Sequence, residues 1–102
     1  MVMYRRNRVE GGTYFFTVAL QDRKRAYLVD HIDDLRKSVR YALRKQPLHI
    51  DAWVVLPEHM HALWTLPPGD DDYSGRWKNI KGRFSHLLVA AGEPIRKNAR
   101  NE

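Results

Sequence analysis

The sequence has no cysteine, and this absence limits both the fold and the chemistry of the chain. Without cysteine there is no disulfide framework and no thiolate metal site, so any bound metal must be held by histidine, carboxylate, amide or water. Long apolar runs are also missing: none approaches the roughly 20 residues that a membrane-spanning helix requires, and no apolar segment follows the charged N-terminus. We therefore expect a cytoplasmic protein with no membrane partner.

Acidic residues are in the minority, with 12 Asp and Glu against 18 Lys and Arg, which gives a net charge of +6 and a pI near 9.9. The basic residues concentrate at both ends of the chain, in residues 1–10 and 76–102. A pI above about 9 with clustered positive charge is typical of nucleic-acid-binding proteins. The alternative is a solvated surface that only keeps the protein in solution.

What the chain does contain is enough apolar material for one core: 102 residues, 43% of them hydrophobic, including 3 Trp, 5 Tyr and 3 Phe. Residues 13–20 are aromatic and β-branched, which predicts a strand. Both of its faces are largely apolar, so we expect a central strand that is covered on both sides.

Residues 31–45 predict a helix, with Asp30 as its N-cap and Pro47 beyond its end. Its apolar positions recur at helical spacing and predict a buried stripe: Ile32, Leu35, Val39, Ala42 and Leu43. A basic stripe of Arg36, Arg40 and Arg44 is interpreted as an ordinary solvated face.

Two strand-like runs, 48–56 and 59–66, are separated by Pro57-Glu58 and predict a hairpin. A two-residue loop would place Leu56 opposite His59 and Val54 opposite His61. In that register, His49 and Asp51 lie on the other face of the sheet.

A second long helix is predicted from Tyr73, after the acidic residues 70–72, with Gly92 closing it. Its apolar stripe is Tyr73, Trp77, Ile80, Phe84 and Leu87 or Leu88. Trp64 and Trp77 could stack on bases, but their spacing favours the core. Gly75 and Gly82 weaken a helix, which suggests close packing at both positions.

The predicted order is strand, helix, strand, strand, helix. This indicates an α+β fold of the ferredoxin-like type, with βαββα order and two helices packed on one face of an antiparallel sheet. We expect a domain in residues 1–92, followed by a polar tail, or the start of a further segment, in residues 93–102.

His59 and His61 are the candidate metal ligands. Residues i and i+2 of a strand project to the same side, with Cα atoms roughly 6.5–7 Å apart, so both imidazoles can reach one cation while Met60 packs in the core. Two ligands make an incomplete shell, for which Glu58, Asp51 and His49 are further candidates. Two polar residues at a sheet surface are the alternative, and Glu58 is interpreted as a solvent-exposed turn residue.

Several segments, in order along the chain, resemble the REP-associated tyrosine transposases, a branch of the single-tyrosine HUH transposases, in which two histidines flank a hydrophobic residue. They are Tyr4-Arg5-Arg6, residues 11–18, residues 56–61, Trp64 to Pro67, Gly69-Asp70, Asp72-Tyr73, Arg76-Trp77, Ile80-Lys81 and Phe84-Ser85.

The resemblance implies a ferredoxin-like fold, a divalent ion such as Mg²⁺ or Mn²⁺ held by His59 and His61, and a single-stranded or hairpin DNA substrate. It also implies cleavage by a tyrosine on a later helix, with a further metal ligand near that tyrosine. Together with the charge pattern, it makes six basic residues candidates for DNA binding: Arg5, Arg6, Arg8, Lys78, Lys81 and Arg83.

The nucleophilic tyrosine of the family should lie some tens of residues beyond residue 102, and the five tyrosines present all match other positions. We therefore identify no catalytic residue and expect a C-terminally truncated transposase that does not cleave alone, unless a homodimer supplies the tyrosine. The alternatives are a non-catalytic module that binds DNA hairpins and a HUH replication initiator or relaxase.

Overall fold

An antiparallel sheet and two long helices make up the fold, and the computed structural model describes residues 2–3, 9–22 and 24–95. The strands are β1 (Val2–Met3), β2 (Thr13–Ala19), β3 (His49–Val55) and β4 (His59–Thr65). The helices are α1 (Tyr27–Asp30), α2 (Ile32–Lys45) and α3 (Tyr73–Ala90). The predicted α+β class is confirmed.

The strands lie in the order β1-β2-β4-β3, and every neighbouring pair is antiparallel. The ferredoxin-like order is confirmed only as far as α3, because no strand follows α3 within the described part of the chain. The edge beside β2 is instead taken by β1, a strand that the sequence did not predict.

The core lies between the sheet and the helices. Alternate residues of β2 and β4 point into it, and the buried side chains of α2 and α3 meet them there. The prediction that β2 is covered on both faces is wrong for the described residues, because both long helices pack on one side and Phe15 on the other side is 46% exposed. The sheet therefore has a helical face and an open face.

Helix α2 begins later than predicted and is capped differently. Asp30 is not its N-cap, because residues 27–30 form the short helix α1 and His31, at φ −118°, separates the two helices. The predicted buried stripe is largely confirmed: Leu35 and Ala42 are buried, and Val39 packs against the core. Pro47 follows the end of the helix, as predicted.

Helix α3 has the predicted start and end. The Asp72 carboxylate accepts a hydrogen bond of 2.9 Å from the Gly75 N–H, which satisfies one of the free donors of the first turn. At the other end Gly92 has φ +92°, and the N–H groups of Gly92 and Glu93 donate to the carbonyls of Val89 and Leu88. These two bonds form a Schellman motif.

Close packing is found at only one of the two glycines of α3. A Cβ atom at Gly75 would lie 2.4 Å from Oδ2 of the capping Asp72, so a larger residue there would displace the cap. Nothing lies within 4 Å of a Cβ at Gly82, so that part of the prediction is wrong.

Arg76 is 1% exposed and forms hydrogen bonds with three segments of the chain. Its Nε donates to the Gln46 carbonyl, Nη1 to Asp72 O and Asp70 Oδ1, and Nη2 to Pro47 O and Asp70 Oδ2, at 2.7–3.1 Å. All five N–H donors of the guanidinium therefore have acceptors. The end of α2, the loop after β4 and the first turn of α3 are fixed around one side chain.

The residues after α3 contact the body of the domain as far as they are described. His31 Nε2 lies 2.7 Å from Glu93 Oε2, and Ile95 packs against the core. Residues 96–102, most of the predicted polar tail, lie outside the described residues. Within the part of the chain that the structure describes, no helix has both the length and the apolar character needed to cross a bilayer.

Candidate metal and DNA-binding site

The two candidate ligands, His59 and His61, lie together on the open face of β4. Met60 between them is fully buried in the core, as the alternation of a strand requires. The centres of the two imidazole rings are 5.1 Å apart, and the ring planes are nearly perpendicular at 80°. The structure therefore brings the two predicted ligands into contact.

The predicted hairpin register is confirmed around the histidines. Val54 pairs with His61, and the Leu56 N–H donates to the His59 carbonyl at 2.8 Å. On the other side, β2 supplies Ala19 opposite His59 and Thr17 opposite His61. The pair thus lies near the middle of the sheet, between two hydrogen-bonded strands.

The Nδ1 atom of each imidazole has an oxygen partner. His59 Nδ1 lies 2.7 Å from Glu58 Oε1, and His61 Nδ1 lies 3.1 Å from Thr17 Oγ1. An ionised carboxylate can only accept, so in the first pair Nδ1 must carry the proton. Glu58 is therefore not the solvent-exposed turn residue that was expected: its side chain is only 29% exposed and is bound to His59.

The separation of the two ring centres is compatible with a shared cation. For metal–nitrogen distances of roughly 2.0–2.1 Å and nitrogen–metal–nitrogen angles of about 90–110°, two imidazoles on one ion have centres about 4.5–5.3 Å apart. The observed 5.1 Å lies in this interval. Across residues 9–22 and 24–95, however, no group of three or more His, Asp or Glu side chains is arranged to hold a metal ion. The pair alone would supply two of the four ligands of a tetrahedral shell.

His49 and Asp51 lie on the open face, so the prediction that they lie on the other face is wrong. The ladder between β3 and β4 shifts between Ile50 and Ala52, and one extra residue in a strand reverses the direction of the side chains beyond it. Asp51 accepts a 2.7 Å bond from Thr65, and His49 Nδ1 lies 3.1 Å from Asp51. This polar group is at the far end of β4 from His59.

Three of the predicted DNA-binding residues, the α3 cations Lys78, Lys81 and Arg83, belong to the helical layer. Lys78 and Arg83 are exposed, and the Arg83 guanidinium lies over the Tyr41 ring at 4.8 Å from its centre. The structure does not bring the α3 cations together with the histidines, which lie on the open face. The other three, Arg5, Arg6 and Arg8, lie outside the described residues.

The tyrosines in the described part of the chain lie in the core or on α2. Tyr14, Tyr27 and Tyr73 are 4%, 8% and 2% exposed, and Tyr4 lies outside the described residues. Tyr41 lies on α2, on the opposite side of the sheet from the histidines. A hydrogen bond from Lys45, and then its charge, lower the pKa of the Tyr41 hydroxyl.

The sequence did not reveal the neighbours of His61. Thr17 and Phe15 come from β2, more than 40 residues earlier, and the Phe15 ring stacks on His61 at 5.7 Å with an angle of 12°. The pairing of β2 with β4 places both residues beside His61, and no local sequence pattern predicts that pairing. Trp64 and Trp77, at 0% and 1% exposure, are core residues as expected, which removes them as base-stacking platforms.

Comparisons with known proteins give close relatives. A REP-associated tyrosine transposase of Escherichia coli (strain K12) is 51% identical over 86 residues, which are 84% of this chain and 52% of that protein. A protein of Haemophilus influenzae with the same description, given provisionally, is 38% identical over 98 residues, 96% of this chain and 56% of that protein. No protein-family model matches the chain.

A solved structure shares both sequence and fold. It is a REP-associated tyrosine transposase bound to a REP hairpin, with 49% sequence identity and a TM-score of 0.80, and the match covers 92% of this chain and 55% of that chain. The resemblance noted in the sequence is thus confirmed. The chain spans about half the length of the curated relatives it matches.

Proposed function

Because the chain is homologous to part of the REP-associated tyrosine transposases, we propose that it is a DNA-binding domain of this transposase type, which binds hairpin or single-stranded DNA. In this proposal His59 and His61 hold a divalent ion, Mg²⁺ or Mn²⁺, beside the DNA. The relatives are described as transposases, which favours this function over that of a replication initiator.

The observation that carries the metal part of the proposal is the spacing of the two imidazoles. Their centres are 5.1 Å apart on one face of a strand, and this separation lies within the range that two ligands of one ion can have. The two histidines would bind the ion, and β2 and β3 on either side would keep them in place. A divalent ion bound there would polarise a phosphate of the DNA, provided that other ligand positions stay open.

The nucleophile is proposed to come from outside the described residues. Tyr14, Tyr27 and Tyr73 are buried in the core, and Tyr41 lies in the helical layer beyond the sheet. The domain would then bind DNA and the ion without cleaving the DNA on its own. Arg5, Arg6 and Arg8 are proposed to contact the hairpin.

Thermal unfolding in Mn²⁺ tests the metal site. At ten times the dissociation constant, an ion that binds only the folded state stabilises it by about 1.4 kcal/mol, or roughly 6–11 °C in Tm for a domain of this size. The wild type should show this shift, and His59→Ala and His61→Ala should lose it. His49→Ala is the matched control, since His49 lies on the same face but away from the pair.

Hairpin binding, followed by fluorescence anisotropy in rising salt, tests the DNA part. Binding that weakens with salt supports it, since each neutralised phosphate releases counterions. A non-catalytic hairpin-binding module is the second candidate, favoured by the two-ligand shell. It predicts that the affinity survives EDTA and both alanine substitutions. A wild type that binds neither hairpins nor single strands at low salt would overturn both candidates.

A further inference from the structure

We propose that Glu58 and Thr17 are positioning residues for the metal site, which fix both imidazoles with the proton on Nδ1 and the lone pair on Nε2. This inference rests on the proposed function for its purpose, but the tautomer can be measured without any metal. Histidine ligands in proteins commonly donate their second N–H to an oxygen, which sets the ring orientation and raises the basicity of the ligating nitrogen.

Glu58 acts on His59 through a polar contact of 2.7 Å between Oε1 and Nδ1. The two side chains are 29% and 28% exposed, so the contact is partly shielded from water. The carboxylate accepts the Nδ1 proton, so the neutral ring presents Nε2 as an acceptor. Glu58 follows Pro57 in the hairpin turn, which keeps it next to the ligand it orients.

Thr17 acts on His61 from the neighbouring strand. Thr17 and His61 are directly paired in the ladder between β2 and β4, and Oγ1 lies 3.1 Å from Nδ1. A hydroxyl can donate or accept, so geometry alone allows either tautomer. We infer that Thr17 accepts, because only then do both histidines of the pair offer Nε2 to the same ion.

Phe15 limits the remaining freedom of His61. Its ring lies nearly parallel to the imidazole, at 12° and 5.7 Å between centres. Thr17 binds Nδ1 of His61 and Phe15 covers one face of its ring, so the imidazole is restrained both in rotation and in tilt. The β2 strand therefore contributes two supports to a ligand that is carried by β4.

The first experiment reads the tautomers by ¹⁵N NMR of the metal-free protein at alkaline pH. Nδ1–H at both rings is the expected result. Thr17→Val and Glu58→Ala should each shift their own histidine towards Nε2–H, whereas Thr17→Ser should retain the wild-type state. Nε2–H at either ring of the wild type would overturn the inference, whatever the protein does with metal.

The second experiment measures Mn²⁺ dissociation constants by electron paramagnetic resonance. We expect a 10–100-fold weaker constant in Thr17→Val and Glu58→Ala, with recovery in Thr17→Ser. Thr13→Val and Asp51→Ala are matched controls from the far end of the same face and should bind as the wild type does. Unchanged constants in both Thr17→Val and Glu58→Ala would overturn the positioning role and leave the proposed function standing. A wild-type constant that His59→Ala and His61→Ala do not alter would overturn the proposed function instead.

Discussion

Replacing Arg76 with lysine keeps the positive charge but removes two of the five donors. Arg76 is 1% exposed, and its acceptors are two oxygens of Asp70 and the carbonyls of Gln46, Pro47 and Asp72. A hydrogen bond to a charged group contributes about 1.5–3 kcal/mol, so two lost bonds would cost about 3–6 kcal/mol. Asp70 is 31% exposed and can regain water, so we expect the lower half of that range.

The assay is urea denaturation at neutral pH. Arg76→Lys should lower the free energy of unfolding by about 3–4 kcal/mol with an unchanged m-value, a large part of the 5–15 kcal/mol typical of a small domain. Arg36→Lys is the matched control, because Arg36 is 64% exposed and pairs with Asp33 only at 3.4 Å. Exposed pairs of this kind contribute little, so we expect a change within about 0.5 kcal/mol.

The pH dependence gives a second, independent reading. Hydrogen bonds from Arg76 and then from the Asp72 N–H lower the pKa of Asp70 from 3.8 to about 2. A lowered pKa in the folded state stabilises the protein above pH 3.8, and this contribution is lost as the pH falls towards 2. After allowance for the exposure of Asp70, it is about 1–2 kcal/mol.

The Asp72 N–H bond and a positive charge both remain in Arg76→Lys, so the difference in stability between the two proteins should narrow by only part of this amount, up to about 1 kcal/mol, from pH 5 to pH 2. The reasoning about Arg76 fails if the variant loses less than about 1 kcal/mol at neutral pH. It also fails if the difference between the two proteins is the same at both ends of the pH range.

Three further outcomes are expected. Trp77→Ala should lower the free energy of unfolding by about 3–5 kcal/mol, because Trp77 is 1% exposed. The control Val89→Ala should change it little, because Val89 is 49% exposed. Equal losses of stability for the two variants in urea denaturation would contradict this. Gly82→Ala should raise the free energy of unfolding by up to about 1 kcal/mol and with it the thermal midpoint, whereas Gly92→Ala should lower both, since Gly92 has φ +92°. Shifts of the same sign in the two variants would contradict this. Replacing the α3 cations with alanine should leave the salt slope of hairpin binding unchanged, because they lie in the helical layer and the histidines lie on the open face; a slope that falls by about 0.9 for each lost phosphate contact would instead place them at the DNA interface.

Elements with a local signal were predictable from the sequence. The apolar spacing of α3, its acidic cap and the glycine after it all lie within one stretch of chain, and the structure has them as predicted. The hairpin register around His59 and His61 was also predictable, because Pro57-Glu58 fixes the loop length and Met60 must face the core. Strand alternation therefore suffices to place both ligands on one face.

Features that depend on distant partners were not predictable. The bulge between Ile50 and Ala52, which turns Asp51 to the open face, has no marker such as glycine in the strand. The buried position of Arg76 depends on carbonyls about 30 residues away, which no pattern around Arg76 indicates. The approach of Thr17 to His61 requires knowing which strand lies beside β4.

The indoles on the helical face determine how this protein can be observed. The Trp64 and Trp77 rings stack at 4.4 Å, and Trp53 lies 5.6 Å and 5.5 Å from them. All three tryptophans of the chain therefore lie in one cluster on the helical side of the sheet, where their fluorescence reports the integrity of the interior. A ligand arriving at the histidine side would touch none of the three indoles directly, so a silent fluorescence titration would say nothing against binding.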